Sequence, residues 1–148
     1  MKKFQFRLET VLKLKEKALD DKMLELAKIT GLLHEEEGKL QNLINKKSGI
    51  NTYLIEIYQR SECLDLQEVQ AHKDYLIQLS ININSQENLL KQIHMAMAEK
   101  QKEVHEALKE KNILEKLKEK QAEKHYQEIL QKEMTELDDI TISRYKAG

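Results

Sequence analysis

The residues that could do chemistry in this 148-residue chain are five histidines, one cysteine and many carboxylates. The histidines include no pair three or four residues apart, the spacing that places two metal ligands on one face of a helix. The glycines are never closer than seven residues, so no glycine-rich phosphate loop is present. These patterns predict no metal site, no nucleotide site and no cofactor.

Cys63 is the only cysteine, so it cannot form a disulfide within the chain. No basic residue or histidine stands beside it to activate the thiol. The carboxylates lack the cleft that a general acid needs. We therefore expect no enzyme, and we keep catalysis at Cys63 only as a third hypothesis, which alkylation of the thiol would test.

The composition favours an extended helical protein over a compact domain. Charged residues make up 34% of the chain, aromatic residues only 5%, and proline is absent. The net charge of −1 argues against binding to nucleic acid, which needs a surplus of Lys and Arg. No apolar run approaches the roughly 20 residues of a membrane span, and no secretory signal pattern opens the chain. We expect a cytoplasmic protein that meets a membrane only through partners.

Apolar residues recur every seven positions in the first half of the chain, which is typical of a coiled-coil helix. One series is Leu12, Leu19, Leu26, Leu33 and Leu40, resuming at Leu54. A second series, three or four residues away, is Ile29, Glu36, Leu43, Ile50 and Ile57. Together they predict a helix over residues 4–59.

The second half repeats the pattern in a new phase. Its main series is Val69, Leu76, Ile83, Leu90, Met97 and Val104, and its companion series is Leu79, Ile93, Ala107 and Leu114. Asp65 followed by Glu68 is typical of a helix N-terminus closed by a capping box. We therefore predict a turn over residues 60–65 and a helix over residues 66–142, in a single domain covering residues 1–148.

A turn that short makes the two helices antiparallel neighbours. Folding the sequence about residue 63 sets Leu33 opposite Ile93. It also sets Lys15 opposite Lys111 and Leu8 opposite Lys118, where the pairing of apolar residues fails. In this part of the second helix we expect the sevenfold apolar series to change phase, with its new positions at Ile113, Leu117, Leu130 and Leu137. The predicted fold class is thus all-α: an antiparallel coiled-coil hairpin of two long helices. The second helix overhangs with an apolar face, and we expect another protein to cover it.

The opening Phe-x-Phe-Arg-Leu-Glu at residues 4–9, followed by Lys-Glu-Lys at residues 15–17, resembles the start of the FliJ family. These are the small coiled-coil components of the flagellar type III export apparatus. The absence of proline, the turn near the middle and the segment from Tyr75 to Leu79 agree with this family. The resemblance extends over essentially the whole chain.

The resemblance implies a non-enzymatic stalk, similar to the central subunit of rotary ATPases. Such a stalk enters the ring of the export ATPase FliI, engages the export gate protein FlhA and escorts export chaperones. The implied ATPase-binding residues are Phe6, Arg7, Leu8, Val11, Leu12, Tyr126, Leu130 and Leu137. The implied gate-binding residues are Lys39, Leu43, Lys46, Ile50, Tyr75, Leu79, Asn82 and Gln86. The heptad pattern itself places Leu43 and Ile50 inside the seam between the helices.

A second hypothesis is a molecular chaperone subunit resembling prefoldin, in which two coiled-coil helices flank β-hairpins. Residues 50–58 are rich in β-forming residues and could supply such a strand. The sevenfold series runs through Leu54 and Ile57 without a break, which favours a helix. The strand content of this segment separates the two hypotheses.

Overall fold

The computed structural model describes residues 3–60 and 63–147. Helix α1 spans Glu9–Arg60 and helix α2 spans Leu66–Ala147, with no strand in either described range. Side chains of the two helices pack into a common core, as where Leu33 meets Leu90 and Ile93. The prediction of an all-α pair of packed long helices is confirmed. Residues 50–58 lie within α1, so the strand that the prefoldin-like hypothesis needs does not form there.

Helix α1 begins later than its sequence pattern predicts, at Glu9 instead of residue 4. The Glu9 N–H donates to the Phe6 carbonyl at 3.1 Å, which closes a turn before the helix. The Phe6 side chain is buried, and the Phe4 ring lies 5.6 Å from the His125 ring. Burial of these rings stabilises a non-helical lead-in. At the other end of the chain, α2 continues past the predicted residue 142 to Ala147.

Helix α2 begins at Leu66, as predicted, and Asp65 caps it. The Asp65 Oδ1 accepts from the backbone N–H groups of Gln67 and Glu68, at 3.0 and 3.4 Å. The second half of the predicted capping box is wrong, because the Glu68 carboxylate accepts from the Tyr53 hydroxyl at 2.9 Å instead. In the predicted turn, Ser61 and Glu62 lie outside the described residues.

Contacts within the chain divide it into two compact units. The turn unit is Leu24–Lys102, and the terminal unit is Met1–Met23 with Glu103–Gly148. Each unit pairs a segment of α1 with a segment of α2. The prediction of a single hairpin domain stays a prediction.

In the turn unit the predicted seam is confirmed, because every predicted seam position there is buried or half-buried. Its centre is a cluster of the buried Leu33, Leu90 and Ile93, around which Ile29, Leu40 and Met97 pack. The predicted pairing of Leu33 with Ile93 is therefore confirmed. Gly31, Gly38 and Gly49 are exposed, outside the seam as expected.

In the terminal unit the seam is thinner and partly charged. Leu12 and Leu19 are buried, while Val104, Ala107 and Leu114 are half-buried. The predicted slip of phase is wrong at three of its four positions, because Ile113, Leu130 and Leu137 are exposed. Polar residues hold the seam positions instead, and the half-buried ones include Lys15, Lys111, Lys118 and His125. The lysines remain there because each has a carboxylate partner.

One charged side chain, Glu36, occupies the turn-unit seam with only 7% of its surface exposed. Its carboxylate accepts from the Lys39 ammonium at 2.9 Å and from the Gln86 amide at 2.6 Å. The same Gln86 amide donates to the Glu36 carbonyl at 3.0 Å, so it ties α2 to α1 twice. The hydrogen bonds from Lys39 and Gln86 to the carboxylate lower the pKa of Glu36, and the one from Lys39 has the larger effect. A buried carboxylate without such partners would be costly.

We expect Leu33→Ala to lower the free energy of unfolding by about 3 kcal/mol, since it removes apolar contacts and leaves a cavity in the turn-unit cluster. The matched control is Leu32→Ala, because Leu32 is the neighbouring leucine and is 45% exposed. That variant should cost less than about 1 kcal/mol. Urea unfolding followed by circular dichroism measures both, and equal losses would contradict the seam.

The Glu36 network should make stability depend on pH. A carboxyl group with a lowered pKa in the folded state stabilises the fold above its unfolded pKa, and this contribution is lost as the pH falls through the folded pKa. The excess stability of the wild type over Glu36→Gln should therefore shrink as the pH falls from about 5 through the folded pKa of Glu36. Glu87→Gln removes an exposed carboxylate of the same unit and serves as the control. A difference that stayed constant with pH would refute this role for Glu36.

Candidate partner-binding surfaces

The predicted ATPase-binding residues near the N-terminus are divided between the interior and the surface of the terminal unit. Phe6 and Leu12 are buried, and Leu8 is half-buried. Arg7 and Val11 are exposed. As long as the two helix segments stay paired, a partner can therefore reach only part of this set.

The predicted residues on α2 lie on an exposed apolar stripe. Tyr126, Leu130 and Leu137 are each more than half exposed. Spacings of three and four residues put them on one helix face together with two further exposed residues, Met134 and Ile140. We call these five residues the C-terminal stripe. From residue 130 to residue 146 every side chain is exposed, so nothing in the described part of the chain covers the stripe.

The predicted gate-binding residues lie at three depths in the turn unit. Leu79 is buried at 2% exposure, and it packs inside the seam. Leu43, Ile50 and Gln86 are half-buried, in agreement with the seam position that the heptad pattern gives to the two aliphatic residues. Lys39, Lys46, Tyr75 and Asn82 are exposed. A partner that docks without separating the helices reaches these last four.

Three residues of α1 and four of α2 form one flank of the turn unit. On α1, Lys39, Lys46 and Tyr53 are spaced by seven and therefore share a face. The corresponding face of α2 carries Glu68, Tyr75, Asn82 and Leu89. A hydrogen bond of 2.9 Å from the Tyr53 hydroxyl to the Glu68 carboxylate shows that both faces lie on the same side of the helix pair. We call these seven residues the clasp flank.

The Tyr53 contact also anchors the aromatic side chain. The Tyr53 ring lies 5.1 Å from the His72 ring in an edge-to-face arrangement. The hydrogen bond to the Glu68 carboxylate, followed by the charge of that carboxylate, raises the pKa of Tyr53. The contacts with His72 and Glu68 hold the ring in place at the edge of the clasp flank.

The same part of the chain is unusually poor in charged residues, a signal that the sevenfold apolar pattern does not reveal. Residues 40–55 and 75–90 together contain three charged residues, Lys46, Lys47 and Glu87, among 32 positions, although the whole chain is 34% charged. The contacts Glu36–Gln86 and Tyr53–His72 show that these two segments lie alongside each other over most of their length. Their surface is rich in Asn, Gln and Ser and includes exposed apolar residues such as Ile44, Ile77 and Ile81. We call it the neutral band.

Surfaces of this composition are suited to binding protein. Interface centres are depleted in charge and enriched in aromatic residues, and amide side chains supply adaptable hydrogen bonds. A partner that covers the neutral band has few ionic groups to strip of water. A count of charged residues in a sliding window would have found the band from the sequence.

The residues suited to catalysis are dispersed over the structure. Within residues 3–60 and 63–147, no group of three His, Cys, Asp or Glu side chains is placed to hold a metal ion. Cys63 is exposed and lies in a shallow depression of about 500 Å³ that is lined by Arg60 as well as by Asp65 and Glu68. Arg60 pairs with Glu56 at 3.2 Å, and carboxylates do not favour the thiolate that a reactive cysteine requires.

A search of the described helices for membrane spans found none that is both long and apolar enough to cross a bilayer. Neither the curated proteins nor the solved structures compared with the chain gave a match. The family model described as "Flagellar FliJ protein" matches residues 4–148. That match extends over nearly the whole chain, which therefore belongs to the FliJ family of flagellar export apparatus components, a non-catalytic adaptor family.

Proposed function

We propose that this chain is an adaptor of the flagellar export machine that binds the export ATPase ring with its terminal unit and the export gate with its turn unit. The observation that carries the proposal is that the chain has two exposed surfaces with apolar side chains that differ in their chemistry. One is the C-terminal stripe, on a single helix, and the other is the neutral band, formed by paired helices. Family membership supplies the context for both.

The C-terminal stripe supports the ATPase half of the proposal. An amphipathic helix whose apolar face has no cover within its own chain is suited to docking in a groove of a partner. The family resemblance implies that this docking site lies in the ring of the FliI-like export ATPase. The exposed Arg7 and Val11 belong to the same unit and extend the surface available to the ATPase. The adaptor organises or stimulates ATP hydrolysis by the ring and binds no nucleotide itself.

The clasp flank supports the gate half. Four of the eight residues that the family resemblance assigns to the gate, Lys39, Lys46, Tyr75 and Asn82, lie on it. Their exposure lets a FlhA-like cytoplasmic domain dock without disturbing the seam. This contact brings the protein to the inner face of the cell membrane peripherally. Export chaperones are the third class of partner that the adaptor escorts.

The gate contact is tested with Tyr75→Ala and the cytoplasmic domain of the organism's own gate protein. Tyr75 is 46% exposed on the clasp flank. Loss of an aromatic anchor should weaken binding by about tenfold or more, as measured by calorimetry. Tyr58→Ala is the matched control, because Tyr58 is 48% exposed in the same unit. It is five residues from Tyr53, which turns it away from the clasp flank. Equal effects of both variants would contradict this surface.

The ATPase contact is tested by assaying turnover of the purified export ATPase with and without the chain. We expect the wild type to stimulate hydrolysis and Leu130→Ala/Leu137→Ala to lose more than about half of the stimulation, because two central residues of the stripe are truncated. Ile113→Ala is the control, since Ile113 is 59% exposed on α2 outside the stripe. A wild-type chain that neither binds the ATPase nor changes its turnover would overturn this half of the proposal.

A further inference from the structure

The two helix segments of the terminal unit are joined by ion pairs. The Lys15 and Glu110 side chains approach to 2.9 Å, Lys22 and Glu103 to 3.3 Å, and Lys118 and Glu9 to 2.8 Å. The first two pairs repeat at a spacing of seven on both helices, so they follow the seam along one flank. All six side chains keep more than a third of their surface exposed.

Full burial of apolar side chains in the terminal unit is confined to the α1 side. Phe6, Leu12 and Leu19 are buried, whereas no described side chain of α2 from residue 103 to residue 146 is. The seam on that side combines the half-buried Val104, Leu114 and Leu117 with the small Ala107 and Ala122, which offer little apolar surface.

The turn unit has the opposite balance. Both of its helices contribute buried apolar residues: Leu33 and Leu54 from α1, and Val69, Leu79, Leu90 and Ile93 from α2. The ion pair between Lys100 and Glu25, at 2.7 Å, also joins the two helices of this unit. The balance between buried apolar side chains and ion pairs therefore differs between the two units.

Salt acts differently on those forces. Attraction between exposed charges is screened as the ionic strength rises, because the screening length falls from about 10 Å at 0.1 M to about 3 Å at 1 M. Apolar burial is not weakened in this way. From this difference we infer that the terminal unit is a separable zipper: its α1 and α2 segments part in a salt-dependent opening while the turn unit stays paired.

Opening uncovers side chains that the closed form hides. Phe6, Leu12 and Leu19 become exposed, together with the half-buried α2 residues Leu114 and Leu117 that belong to the same seam. Phe6 and Leu12 are the predicted ATPase-binding residues that a partner cannot reach in the closed unit. The opening itself rests only on contacts within the chain, so it stands whether or not the proposed function holds.

Hydrogen exchange of the full-length chain, followed by mass spectrometry, tests the zipper. We expect amides of residues 10–23 and 103–118 to exchange about fivefold faster or more at about 1 M NaCl than at about 0.05 M. The exchange rates of amides in residues 29–40 and 83–97, in the turn unit, should change less than about twofold. These amides serve as an internal reference for the direct effect of salt on exchange. The same salt response in both units, or terminal protection that rises with salt, overturns the inference.

Charge variants identify the ion pairs as the cause. Lys15→Glu places like charges together and should speed exchange of the terminal unit even at low salt, while Lys15→Glu/Glu110→Lys should restore protection. Lys17→Glu makes the same charge change at an exposed position of the same unit and should have little effect. Two results would show that the ion pairs do not hold the zipper closed. One is equal exchange rates of the terminal-unit amides in Lys15→Glu and Lys17→Glu, and the other is a double variant whose amides do not recover protection.

Discussion

The pairing of two seven-residue apolar repeats is the constraint on which the rest of this structure depends. Each helix is too rich in charge to form a rounded core, but each offers a narrow stripe that the other can bury. The cluster of Leu33, Leu90 and Ile93 shows this pairing at its tightest. Because the seam occupies only one face of each helix, the remaining faces are free to carry the clasp flank and the C-terminal stripe.

The seam is not uniform, and its composition determines what each unit can do. In the turn unit the buried positions are apolar apart from Glu36, which Gln86 satisfies, so the helices form a firm support for exposed residues such as Tyr75. In the terminal unit, lysines and alanines share the seam with Leu12 and Leu19, and ion pairs such as Lys15–Glu110 lie beside these aliphatic contacts. A firm unit suits a preformed docking surface, and a weakly held unit suits a surface that is uncovered on demand.

Much of the fold could be predicted because periodicity and helix capping are local properties of a sequence. The sevenfold series located the seam, and Asp65 located the start of α2. The late start of α1 was missed because burial of Phe6 depends on how the lead-in folds back, which no repeat encodes. The predicted change of phase in α2 was wrong because it assumed that apolar residues such as Ile113 would displace lysines from the seam. Lys111 stays half-buried there because Glu115 lies 3.4 Å away, and a pattern of apolar residues cannot detect that compensation.

The partner surfaces were less predictable than the fold. Burial separates accessible residues such as Asn82 from seam residues such as Leu79, and it depends on the register of both helices. An adaptor with two separate surfaces must hold both partners at once, and sedimentation of the chain with the export ATPase and the gate domain tests this most directly. We predict a ternary complex that contains all three proteins, whereas displacement of the ATPase by the gate domain would contradict the two-surface adaptor.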